Sequence, residues 1–269
     1  MTAGPVPAWI GADAASGHAA RPPVVMLHGI GGGKAQWAAQ LDLLARHGWR
    51  ALAWDMPGYG ESALPAGDYT FAELGTSLLR LLDALAIPRA ILLGHSMGGM
   101  VALEAFAQAP GRCAGLILAC TSPAFGRADG DWQRQFIGER LAPLDAGLGM
   151  PGMAARQVPR MMAEAAPAAA RERAMAIMGA VPEETYRLAL RCLVTFDRRE
   201  VLPAIAVPTL VLAAAGDSQA PPPVMEKMAG RIAGAEFEVL PGCGHLANLE
   251  QPSAFGATVL EFLERRFAP

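Results

Sequence analysis

Six short, nearly all-apolar runs recur along the 269-residue chain, and most end at a glycine or a turn segment. Val24–Leu27 (VVML) stops at His28-Gly29, 50–54 (RALAW) at Asp55-Met56-Pro57-Gly58, and 90–93 (AILL) at Gly94. Residues 116–119 (LILA) lead into Cys120-Thr121-Ser122-Pro123, and 209–213 (TLVLA) and 237–240 (FEVL) complete the series. Runs this short, apolar on both faces, read as parallel strands buried from both sides. Between them, apolar residues recur at helical spacing over 35–47, 70–85, 97–109 and 255–267. Strand alternating with helix implies the α/β class: a mostly parallel sheet flanked by helices on both faces.

The alternation lapses between 125 and 200, where helical patterns at 132–141, 156–165, 168–178 and 183–194 follow one another without a strand. The expected organisation is therefore a core of residues 1–124 and 201–269 with a helical cap, 125–200, inserted between two strands. Six methionines fall in this stretch: Met150, Met153, Met161, Met162, Met175 and Met178. Methionine fills irregular apolar surfaces, so these residues suit either a ligand chamber or ordinary helix packing. Glycines at 147, 149, 152 and 179 are candidate joints between the cap helices.

Composition narrows the function classes. A net charge of −3, with 17% charged residues, argues against nucleic acid as a partner. Residues 1–21 lack the basic start and apolar run of a signal peptide, and no window has the length of a membrane span. A cytoplasmic, non-membrane protein is expected; the oligomeric state is left open. Cys113, Cys120, Cys192 and Cys243 show no metal-ligand spacing and read as free thiols. Cys243 lies two residues before a histidine, so a reactive thiol there competes with a small buried residue in a tight loop.

The sharpest motif is Gly94-His95-Ser96-Met97-Gly98-Gly99, which follows an apolar strand and opens a helix. In that context G-x-S-x-G is a nucleophile elbow. Its glycines permit a sharp turn, and the helix start faces developing negative charge. His28-Gly29-Ile30-Gly31-Gly32-Gly33 can bring a backbone amide to a substrate carbonyl, so the amides of Ile30 and Met97 form the expected oxyanion hole. The rival reading, a phosphate cradle, lacks the P-loop ending, because Ala35 follows Lys34. A serine needs a base, and the base needs an orienting carboxylate. His245 sits in a glycine loop after the last strand, and Asp217 follows the strand at 209–213. Both emerge at the sheet edge that carries Ser96. The order Ser96, Asp217, His245 fits this fold, with Asp197 as the reserve acid. His95 is expected to point away from the site and His28 to brace the glycine loop; His18 and His47 belong to no motif.

These segments, with Asp55-Met56-Pro57-Gly58-Tyr59-Gly60-Glu61-Ser62 and Gly244-His245-Leu246-Ala247-Asn248-Leu249-Glu250-Gln251-Pro252, resemble the α/β-hydrolase superfamily over nearly the whole chain. The last segment, with Asp217-Ser218-Gln219-Ala220-Pro221-Pro222, is most similar to the 3-oxoadipate enol-lactonase and serine esterase group. The cap resembles that group's four-helix cap. Ala214 departs from the glycine usual three residues before the acid. The resemblance implies hydrolysis of a small carboxylic ester or lactone, an enol-lactone among them, through an acyl-enzyme on Ser96, with no metal or organic cofactor. A carboxylated substrate would call for an arginine, and the cap carries Arg127, Arg134, Arg140, Arg156 and Arg160. These read as solvated helix faces, whereas Trp132, Met150, Met153, Met161 and Met162 suit an apolar acyl group. The same triad would also serve a carbon–carbon bond hydrolase or a perhydrolase, and a slow-turnover receptor would share the fold.

Overall fold

The computed structural model describes residues 4–13, 21–125 and 130–267. His18 and Arg127 lie outside them. Seven strands, β1 (Trp9–Ala12), β2 (Val24–Leu27), β3 (Ala51–Trp54), β4 (Ala90–His95), β5 (Cys113–Ala119), β6 (Thr209–Ala214) and β7 (Glu236–Leu240), form one sheet in the order β1-β3-β2-β4-β5-β6-β7. Every neighbouring pair is parallel except β1 and β3.

Strands β2 to β6 are buried at every position, as apolar runs without a polar face require. Successive residues supply opposite cores. Val25, Leu27, Leu52 and Leu92 pack with α2 (Phe71–Ala84) and α3 (Met97–Gln108). Val24, Met26, Ala51 and Ile91 pack against α1 (Ala38–Arg46) and the C-terminal helix 252–267. The run at 237–240 departs from its expected burial. It lies in β7 at the sheet edge, and Val239 is 40% exposed. Strand β1 has no counterpart among the six runs; three of its four residues are exposed, and it caps the opposite edge of the sheet antiparallel to β3.

Four helices, α4 (Asp131–Asp145), α5 (Gly149–Met161), α6 (Ala168–Gly179) and α7 (Glu183–Leu193), intervene between β5 and β6. The second was expected at 156–165 and instead starts seven residues earlier, at Gly149. Pro151 stands in its first turn, where a missing N–H costs no helical bond, so the proline opens the helix. Met162 then ends it in an extended conformation (φ −106°, ψ 153°). Gly147 and Gly149 hold positive φ at the α4–α5 joint, whereas Gly152 lies within α5 and Gly179 ends α6. The insertion leaves and rejoins the core at one place: Ala124 bridges Asp197, and Phe125 N–H donates to the Phe196 carbonyl at 2.9 Å. After β6 come α8 (Pro222–Ala229), β7, α9 (Ala247–Glu250) and α10 (Pro252–Phe267). Among the described residues, no helix is long and apolar enough to cross a membrane. All four cysteines are free and buried.

Candidate active site

Ser96 occupies the turn between β4 and α3 with φ 54° and ψ −123°. A non-glycine residue at positive φ costs about 1–3 kcal/mol and persists only where the surroundings impose it. They do so here. A Cβ on Gly98 would fall on the Leu27 carbonyl, and one on Gly94 would fall on the backbone of Gly98 and Gly99. Ser96 N–H donates to the Ala119 carbonyl at 3.0 Å, and Thr121 Oγ1 donates to the Ser96 carbonyl at 2.7 Å. The main chain is thus pinned on both sides, and the hydroxyl stands free of the sheet.

One side chain from a distant loop meets that hydroxyl, and a second, from another loop, backs it. His245 Nε2 lies 3.0 Å from Ser96 Oγ, and His245 Nδ1 lies 2.8 Å from Asp217 Oδ2. A carboxylate only accepts, so Nδ1 carries the proton and Nε2 is left to accept from the serine. Asp217 is 3% exposed. Its burial alone would raise the carboxyl pKa. The hydrogen bond and charge of His245, with the amides of Ala220 and Gln219, outweigh that and hold it below the usual carboxylate range. The sequence-predicted Ser96, His245 and Asp217 therefore come together in one hydrogen-bonded chain. The reserve acid, Asp197, instead faces solvent and pairs with Arg199, which lowers its pKa.

Two residues that support His245 were not anticipated. His95 was expected to point away; its side chain in fact reaches the histidine loop, where Nε2 donates to the His245 carbonyl at 2.7 Å. Burial, chiefly, and the neighbouring His245 push its pKa down to about 3. Glu250, 3% exposed, accepts from Gly244 N–H at 3.0 and 3.1 Å and from Ala163 N–H at 2.8 Å. The bonding partner is a backbone group in each case, so no side-chain pairing in the sequence announces either role. Cys243, by contrast, is a buried packing residue whose thiol burial raises to about 11, with help from Glu250 and Asp217. It stays protonated at neutral pH.

The glycine loop sits beside the serine: a Cβ on Gly29 would stand 3.0 Å from Ser96 Cβ. His28 braces it as expected. Its Nδ1 bonds to the Gly29 carbonyl at 2.8 Å while its Nε2 accepts from Met56 N–H at 2.9 Å. The ring is neutral, its pKa lowered to about 4 by burial. Gly32 N–H donates to the same carbonyl at 2.9 Å. In a trans peptide the N–H opposes the C=O, so these bonds fix the direction of the Ile30 N–H. Met97 is the first residue of α3, and its N–H has no intrahelical partner; its side chain is core. Lys34 is engaged by Asp55 and Glu61 at 2.6 and 2.5 Å, which removes it from any phosphate-cradle role.

A cavity of about 350 Å³ opens over Ser96 and His245. Its far wall comes from the insertion, with Trp132, Phe136, Met161 and Met178 among the lining residues. Three methionines expected to line it do not: Met150, Met153 and Met162 are 5%, 0% and 7% exposed and belong to the packed core. Position along the helix decides this, because these residues share one face. In α5, Met150, Met153 and Ala154 in the first half of the helix are buried and do not reach the cavity, whereas Gln157, Val158 and Met161, toward its end, line it. Arg134, Arg156 and Arg160 are exposed, as expected of solvated helix faces, and Arg140 is half-buried. Arg140, Arg156 and Arg160 face a second, adjoining cavity with one carboxylate, Glu139. Among the described residues, Arg156 and Arg160 have no ion-pair partner, whereas Arg134 pairs with Asp131.

This geometry agrees with what the chain is similar to. A sequence model described as the alpha/beta hydrolase family matches residues 24–258. A protein of Variovorax paradoxus (strain S110), provisionally named carbamate hydrolase RutD, is 33% identical over 91% of this chain and 93% of its own. 3-Oxoadipate enol-lactonase 2 of Acinetobacter baylyi is 29% identical, over 93% and 91%. Among solved structures, a hydrolase from Pseudomonas aeruginosa PA01 superposes with a TM-score of 0.82 at 35% identity, covering 95% of this chain and 93% of that one. The enol-lactonase of Burkholderia xenovorans LB400 does so with a TM-score of 0.82 at 28% identity, covering 95% of each. With that family model matched over most of its length and a relative of 33% identity, this chain belongs to the alpha/beta hydrolase family.

Proposed function

We propose that the protein hydrolyses small carboxylic esters or lactones through an acyl-enzyme on Ser96. The observation that carries this reading is the unbroken hydrogen-bonded chain from Ser96 Oγ through His245 to buried Asp217, opening on a largely apolar cavity. His245 Nε2 takes the serine proton as Oγ attacks the carbonyl carbon, and the amides of Ile30 and Met97 receive the oxyanion. His245 returns the proton to the departing alcohol or enol oxygen. Water, deprotonated by His245, then releases the acid and restores Ser96. Asp217 holds the ring in the required tautomer and balances its cationic form. The insertion acts as a cap that excludes water from the acyl group.

The cavity divides the substrate into two parts. Trp132, Phe136, Met161 and Met178 suit an apolar acyl chain, and the adjoining arginines suit a carboxylate farther along the molecule. A carboxylated ester or lactone therefore fits better than a wholly apolar one. The carbamate named for a relative would use the same serine and oxyanion site.

A phosphonate that reacts with serine should label Ser96 alone, and Ser96→Ala should abolish labelling and turnover in a folded protein. Asp217→Asn should lower kcat by about 10⁴-fold, and Asp197→Asn should leave it nearly intact. Adduct on another serine, Ser62 or Ser122 for instance, would remove the assignment. A panel of p-nitrophenyl esters, lactones, a carbamate and a dienone acid then ranks substrates. Preference for the dienone acid would move the protein to carbon–carbon hydrolysis. In the same assays, Arg156→Ala with Arg160→Ala should raise KM for carboxylated esters by about 10–100-fold, the loss of a charged hydrogen bond, and leave neutral esters unchanged.

A further inference from the structure

The backbone of the candidate base is held from two sides, and one of those sides belongs to the helical insertion. His245 N–H donates to the Met161 carbonyl at 2.7 Å, at the last residue of α5. Its carbonyl accepts from His95 Nε2 at 2.7 Å, from the elbow. One residue earlier, Gly244 N–H is taken by Glu250, and the same carboxylate accepts from Ala163 N–H, two residues beyond α5. Close approach is built in. A Cβ on Gly244 would meet Met161 O at 2.6 Å, Ala163 N at 2.9 Å and the Met162 carbonyl carbon at 3.0 Å.

We propose that Glu250 is a positioning residue for His245: its carboxylate clamps the α5–α6 joint of the insertion onto the histidine loop and so fixes Nε2 over Ser96. This rests on the roles of Ser96 and His245 given above. The physical case has two parts. A carboxylate that is 3% exposed is costly unless it is hydrogen-bonded, and among the described residues its partners are two backbone amides. Those amides belong to different parts of the fold, so the cost of burial is offset only when the insertion is seated. Seating also delivers the Met161 carbonyl to His245 N–H. The base is therefore in register with the serine only when this end of the insertion is down. Motion of the cap is left to the α4 side, where Gly147 and Gly149 stand at positive φ.

The test compares Glu250→Leu, Glu250→Gln and Gly244→Ala. Leucine keeps bulk and removes both acceptors; glutamine keeps one acceptor that can serve both amides; alanine wedges the joint open with Glu250 intact. Leucine and alanine should each lower kcat and the rate of Ser96 phosphonylation by about 10²-fold, the effect of an ångström-scale displacement of the base, with KM for neutral esters little changed. Glutamine should restore most of both rates. The leucine–alanine double variant should be no worse than either single one, because both break the same clamp. Rates are read well below each variant's Tm. A Glu250→Leu protein that is folded, less stable and phosphonylated at the wild-type rate would overturn the proposal. If that variant does not fold, Gly244→Ala decides alone by the same criterion. Failure of the wild type to label at Ser96 would instead defeat the mechanism on which the clamp rests.

Discussion

Two buried histidines give the molecule a pH dependence that can be worked out in sign. His28 and His95 are held neutral, with folded pKa values near 4 and 3 against an ordinary value of 6.5. Above pH 6.5 neither state binds the proton, and stability is flat. Below it the unfolded chain takes up protons that the folded chain refuses, so each histidine removes up to about 1.4 kcal/mol per pH unit. That loss continues down to about pH 4 for His28 and about pH 3 for His95. Asp217, whose folded pKa is depressed, adds a loss of the same sign once the pH falls below the ordinary carboxylate range. Urea midpoints measured from pH 7.5 to 4.5 should therefore fall with acid, and His28→Gln should fall less steeply than wild type. An unchanged slope would mean that His28 is not buried neutral. At this scale the sequence was readable for residues that act through side chains. Ser96, Asp217 and His245 announce themselves by motif and chain order. His95 and Glu250 do not, since each bonds to main-chain atoms that the fold alone brings near.

Position along a helix governs what the insertion can contribute. Met161 and Met178 line the cavity, and the Met178 side chain also approaches the oxyanion loop: a Cβ on Gly31 would stand 3.3 Å from its Sδ. Enlarging or charging either residue should shift acyl-length preference across a graded ester series. Met153→Ala should leave that preference alone and cost about 2–5 kcal/mol of stability, the range for deleting a buried methionine side chain. A length profile that moved with Met153 and stayed fixed with Met161 would reverse the assignment. Periodicity shows that helices are present between 125 and 200, but not which face of each looks down. In α5 one face serves both core and cavity, and only packing against the sheet decides how far along it the cavity begins. The same limit applies to β1. Four mostly exposed residues at a sheet edge carry no hydrophobic run, and only pairing with β3 makes them a strand.

On the scale of the whole molecule, the parallel sheet follows from the apolar runs because each must be covered on two sides. The alternation of Val24 to Leu27 between opposite cores is that requirement in miniature. The insertion obeys a different rule. Its two ends meet at the Ala124–Asp197 bridge, with Arg198 N–H donating to the Pro123 carbonyl at 2.8 Å, so the sheet closes behind it whatever it contains. This makes the segment a natural unit for grafting: a foreign helical lid of any length can be spliced at one point without stretching β5 or β6. A chimera cut there should fold, but folding and turnover should part company. Only a transplanted lid that presents a carbonyl to His245 N–H and an amide to Glu250, in place of Met161 and Ala163, should inherit a working base.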